Sequence, residues 1–122
     1  MNDLRILYIE DNAELREFLG VLMQGEGREI VLGASAEEAL AICATREFDL
    51  VVTDVSLPGL SGTELARRLL KADPERWIAL CSGYDFGSAT RQLGVNVRAL
   101  QKPFEIEDLD RLIDQVRAAR RR

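Results

Sequence analysis

Residues 49–62 read DLVVTDVSLPGLSG. The run from Asp49 to Asp54 is nearly continuous in apolar and β-branched residues, as a central strand covered on both faces of a parallel sheet should be, and it closes on an acid. Ser61 then stands where a helix N-cap belongs, ahead of TELARRLLKA at 63–72. Asp73-Pro74 ends that helix, because proline cannot continue it and disfavours helical geometry in the residue before it.

The same strand-then-helix unit recurs on either side. Short β-rich runs lie at 4–9 (LRILYI), 29–33 (EIVLG), 77–82 (WIALCS) and 97–101 (VRALQ). Helical segments are predicted at about 12–25, 35–46, 62–72, 86–93 and 105–119. Ser35 with Glu38 forms a capping box ahead of AEEALAICA, and Leu109, Leu112, Ile113 and Val116 give the last helix one apolar stripe. Five such alternations predict an α/β domain: a doubly wound, five-stranded parallel sheet with five helices, of the flavodoxin-like kind. It fills residues 1–122 as one domain, with a core over about 3–119.

Composition narrows the chemistry. No apolar run approaches the ~18–20 residues needed to cross a bilayer, so membrane insertion is not expected. MNDLRILYIEDN lacks the basic, apolar and small-residue succession of a signal peptide, which predicts a cytoplasmic protein. The net charge of −5 argues against nucleic acid as a partner for this chain by itself, and the basic residues Arg117, Arg120, Arg121 and Arg122 read as a solvated helix terminus. Cys43 and Cys81 have no CxxC spacing and are predicted to be reduced, buried thiols. The absence of histidine excludes Ser-His-Asp and Cys-His catalysis, and any phosphohistidine must come from another protein.

In an open parallel sheet ligands bind beyond the carboxyl ends of the strands. There the sequence places Glu10 and Asp11, Asp54, Ser82, and Lys102-Pro103. Three carboxylates held together push one another toward the neutral form unless a cation lies between them. With no histidine and no paired cysteines the ligands are oxygens, which points to Mg²⁺, or Mn²⁺ in its place. Asp54 is then the attacking carboxylate, with Lys102 and the Ser82 hydroxyl placed to meet phosphoryl oxygens. Taken singly each residue reads otherwise, Asp11 as a helix cap for instance; their occurrence together at four strand ends favours a site.

These residues resemble the receiver domains of two-component response regulators over essentially the whole chain. The resemblance rests on LYIEDN (Glu10, Asp11), VVTDVSLPGLSG (Asp54), ALCSGY (Ser82) and QKPF (Lys102, Pro103, Phe104). It implies that Glu10, Asp11 and Asp54 bind metal together with the Ser56 backbone carbonyl, that Asp54 is the phosphoacceptor, Ser82 the switch hydroxyl and Lys102 the phosphoryl contact, with Gly62 opening the next helix. It further implies a histidine kinase or histidine phosphotransfer protein as donor and a downstream protein target. The chain would not be an enzyme in the conventional sense, but would take a phosphoryl group from a donor with Mg²⁺ and hydrolyse it slowly. Two departures fall on the face near the fourth helix and fifth strand. Ala99 stands where most receivers carry an aromatic residue, and the stretch from Ser82 to Lys102 is short, so Tyr84 is proposed to take the aromatic's part.

Three rival readings bear on the same residues. A haloacid-dehalogenase-type phosphatase needs a second aspartate where Ser56 stands, and a flavodoxin-like cofactor binder is opposed by the acidic Glu10-Asp11-Asn12 loop. The remaining alternative is an interaction module with this fold that works without phosphorylation. A stand-alone receiver, the receiver of a hybrid kinase and a fragment of a larger regulator all fit the sequence.

Overall fold

The computed structural model describes residues 3–25, 27–83, 90 and 92–120. Its elements in chain order are β1 (Leu4–Ile9), α1 (Ala13–Met23), β2 (Arg28–Gly33), α2 (Ala36–Thr45), β3 (Leu50–Asp54), α3 (Gly62–Ala72), β4 (Ile78–Ser82), β5 (Val97–Gln101) and α4 (Ile106–Arg120). All strands are parallel, in the order β2-β1-β3-β4-β5. The doubly wound sheet is therefore as expected, with four helices among the described residues. The helix expected at about 86–93 falls largely outside them, as does Tyr84.

Alternation along the inner strands builds two cores. Leu4, Ile6 and Tyr8 of β1, Leu50 and Val52 of β3, and Ala79 and Cys81 of β4 face α1 and α4, where they meet Met23, Leu109, Leu112, Ile113 and Val116. Leu7, Ile9, Val51, Ile78 and Leu80 point the other way, onto Ala36 and Ala39 of α2 and Leu65, Ala66 and Leu69 of α3. Each fully buried Leu or Ile contributes about 1.5–3 kcal/mol of hydrophobic stabilisation, so strands buried on both faces hold the sheet edge rigid under the site.

The caps confirm the helix starts. Asn12 Oδ1 accepts from Leu15 N at 3.0 Å, Ser35 Oγ from Glu38 N at 3.0 Å, and Ser61 Oγ from Glu64 N at 3.1 Å. Because Asn12 caps α1, the capping explanation for Asp11 fails. Element ends shift by a residue or two from expectation: Asp49 and Trp77 precede their strands, and Arg28 joins β2 by pairing with Leu4. One expectation is corrected outright. Cys81 is buried, but Cys43 is only half-buried, on α2 at the border of its core. Burial pushes the Cys81 thiol up to about 12, against the opposing pull of Lys102.

Candidate metal and phosphoryl site

The carboxyl ends of β1, β3, β4 and β5 converge as the topology requires. Carboxylate oxygens of Glu10, Asp11 and Asp54 lie within 4.8 Å of one another. Asp11 is exposed, Asp54 half-buried and Glu10 only 3% exposed. Burial drives the Glu10 carboxyl above the usual carboxylate range, and the Asn12 backbone N–H, donating to its Oε2 at 3.0 Å, pulls the other way. Lys102 Nζ reaches Asp54 Oδ2 at 2.8 Å. Burial lowers the lysine's proton affinity, but the hydrogen bond and charge of Asp54, then the charge of Glu10, outweigh it and leave it raised.

The backbone supplies the precision. Lys102 N donates to Ser82 O at 2.6 Å, tying the end of β5 to the end of β4. Ser82 is buried at the last position of β4, level with Gln101. Val55 N donates to Cys81 O at 2.9 Å and Gly62 N to Val55 O at 2.9 Å, so the loop leaves Asp54 and returns at once to the start of α3. A Cβ on Gly62 would lie 1.9 Å from the Asp54 carbonyl oxygen, which explains the glycine at that helix start. Ser56 is exposed in the loop two residues beyond Asp54.

The acids fit a hard divalent cation. Three carboxylates against one ammonium leave a formal charge of −2, and every offered donor atom is oxygen. Among the described residues this is the one group of acids close enough to share an ion.

The sequence reading missed several supporting residues. Arg16 Nη1 donates to Glu10 O at 2.8 Å, and the Thr53 hydroxyl donates to Asp54 O at 3.0 Å, each fixing backbone that carries an acid. The Tyr8 phenol is pushed up, chiefly by burial and then by Cys81, Glu10 and Asp54, so it stays neutral beneath the acids. Arg16 lies four residues after Asn12, one helical turn from the site, which was the available signal. Ala99, level with Leu80, lines a shallow cavity of about 370 Å³ with Arg98, Phe104, Asp108, Arg111 and Leu112.

A doubly wound sheet with an Asp-Lys pair and two further acids at its carboxyl edge defines a receiver-type α/β domain. A family model, the response regulator receiver domain, matches residues 6–114, and the chain belongs to that family. The chain is 32% identical to the response regulator receiver protein CpdR of Brucella abortus, over 92% of this chain and 95% of that protein. It is 34% identical to an uncharacterised transcriptional regulatory protein, YkoG, of Bacillus subtilis, covering 95% of this chain but 50% of that one, so it spans half the length of that relative. Among solved structures, the response regulator TrrA of Thermotoga maritima in complex with Mg(2+)-BeF superposes with a TM-score of 0.80 at 29% identity, over 93% of this chain and 98% of the other.

No described helix is long and apolar enough to cross a membrane.

Proposed function

We propose that the chain is a phosphorylation switch in which Asp54 accepts a phosphoryl group from a phosphohistidine on a partner histidine kinase or histidine phosphotransfer protein. The observation that carries this reading is the Asp54 carboxylate, half-buried and held at 2.8 Å from Lys102 Nζ beside Glu10 and Asp11. An Asp54 oxygen attacks phosphorus, the nitrogen–phosphorus bond breaks, and its electron pair returns to the imidazole. Lys102 moves its ion pair from the carboxylate to a phosphoryl oxygen, and the Ser82 hydroxyl donates to another.

Glu10, Asp11, Asp54 and the Ser56 carbonyl would hold Mg²⁺ or Mn²⁺, which supplies neutralisation of the oxygens on the transferring group. The Mg(2+)-BeF bound by the Thermotoga relative supports that assignment. Water then slowly hydrolyses the acyl phosphate. The added charge alters the face around Ala99 of β5, near the helix expected at about 86–93, where a downstream protein is read, and the setting is the cytoplasm. A role independent of phosphorylation would leave the complete Asp-Lys-acid set without a use.

Incubation with acetyl phosphate and Mg²⁺ is expected to give one phosphoryl group per chain that neutral hydroxylamine removes, as it does from acyl phosphates. A label that survives hydroxylamine would place the phosphate on a hydroxyl and contradict Asp54 as acceptor.

A further inference from the structure

Between Val55 and Ser61 the loop after β3 is thinly held. Among the described residues no hydrogen bond reaches Ser56, Leu57, Pro58 or Gly59. The loop's tip is instead fastened from outside by Glu37, in the first turn of α2, whose Oε2 accepts from Leu60 N at 3.1 Å. Gly59 sits beneath that carboxylate with φ +74°, and a Cβ there would lie 2.8 Å from Glu37 Oε2. The left-handed backbone therefore favours glycine, and any larger residue would also have to push the Glu37 carboxylate aside. The Glu37 carboxyl is held below the usual glutamate range by its own backbone N–H and by that of Leu60, with a smaller pull from Arg68. Nothing else among the described residues ties the tip of this loop to α2 by a hydrogen bond.

We propose that Glu37 is a positioning residue that latches the β3–α3 loop to α2, and through that loop sets how tightly the acidic site holds a divalent cation. The proposal rests on the phosphoacceptor reading, because the loop matters to the cation through Asp54 at its root and the carbonyl of Ser56. Glu37 touches none of the reacting atoms. It acts by narrowing the conformations open to residues 56–60, so that the ligand oxygens need less ordering when the ion arrives. The neutral Gln side chain retains an amide oxygen that accepts from Leu60 N, whereas Ala does not. Both changes remove the same charge, so a difference between them isolates the hydrogen bond.

The test is calorimetric titration with MgCl₂ of wild type, Glu37→Gln and Glu37→Ala, with amide exchange at Leu60 measured on the metal-free proteins. Glu37→Ala is expected to bind Mg²⁺ roughly threefold to tenfold more weakly and to exchange the Leu60 amide faster by a similar factor, the scale of one ordinary hydrogen bond. Glu37→Gln is expected within about twofold of wild type on both. Wild-type binding with unchanged affinity in Glu37→Ala overturns the latch alone, as does equal impairment of the two variants. A wild type that binds no Mg²⁺ overturns the site reading and the latch's consequence together.

Discussion

Lys102→Ala is expected to slow phosphoryl transfer to Asp54 by about a hundredfold or more, the usual scale for deleting one preorganised charge at a reacting oxygen. The lysine is well placed for this before any donor arrives. Its backbone N–H is fixed to Ser82 O at 2.6 Å and its ammonium to Asp54 at 2.8 Å. The ammonium is half-buried and its proton affinity is raised on balance, so it stays charged throughout the neutral range. Removing it also leaves Glu10, Asp11 and Asp54 without their cation. The metal-free variant should therefore melt earlier than wild type, and Mg²⁺ should recover more of its stability than it adds to wild type. Rates with acetyl phosphate, read on phosphate-affinity gels, check the first part; melting with and without Mg²⁺ checks the second. A variant phosphorylated within about threefold of wild type would show that Lys102 serves only to balance charge.

Gly62→Ala is expected to destabilise the fold by about 3 kcal/mol or more, the upper range for overpacking, because the obstacle is backbone and cannot swing aside. The new methyl would fall 1.9 Å from Asp54 O, 2.9 Å from Asp54 C and 3.1 Å from Thr53 Oγ1. Relief requires α3 to move away from the end of β3, which strains the Gly62 N to Val55 O bond and displaces Asp54 itself. Stability and phosphorylation should fall together. Gly83→Ala is the control, since nothing among the described residues lies within 4 Å of a Cβ built there. Urea unfolding distinguishes the two, and a Gly62→Ala midpoint equal to that of the control would contradict this packing.

The sheet was legible because each inner strand is a compact apolar run bounded by turn residues, and its period of two distributes residues such as Leu7 and Tyr8 to opposite cores. The site was legible for a related reason. Polar residues that close such runs, Asp54 and Ser82, or follow them, Glu10 and Lys102, have one sheet edge on which to meet. Asp11 could not be decided from sequence, since caps and ligands share the same residue types; the structure removes the cap reading by giving that role to Asn12 and leaves Asp11 beside Glu10 and Asp54. Glu37 was out of reach, and Arg16 offered only its spacing of one helical turn from Asn12. Their partners are backbone groups of Leu60 and Glu10, and backbone partners leave no complementary side chain in the sequence to read. Cys43 was misplaced because an apolar-looking helix position says which face it occupies, but not how far the neighbouring helix covers it.

Intact-mass spectrometry of wild type and Asp54→Asn after acetyl phosphate treatment, with and without Mg²⁺, tests the phosphoacceptor most directly. Wild type should gain the mass of one phosphoryl group only with Mg²⁺, and Asp54→Asn should gain none. An equal gain in the variant, or no gain by folded wild type under any condition, would contradict Asp54 as the phosphoacceptor.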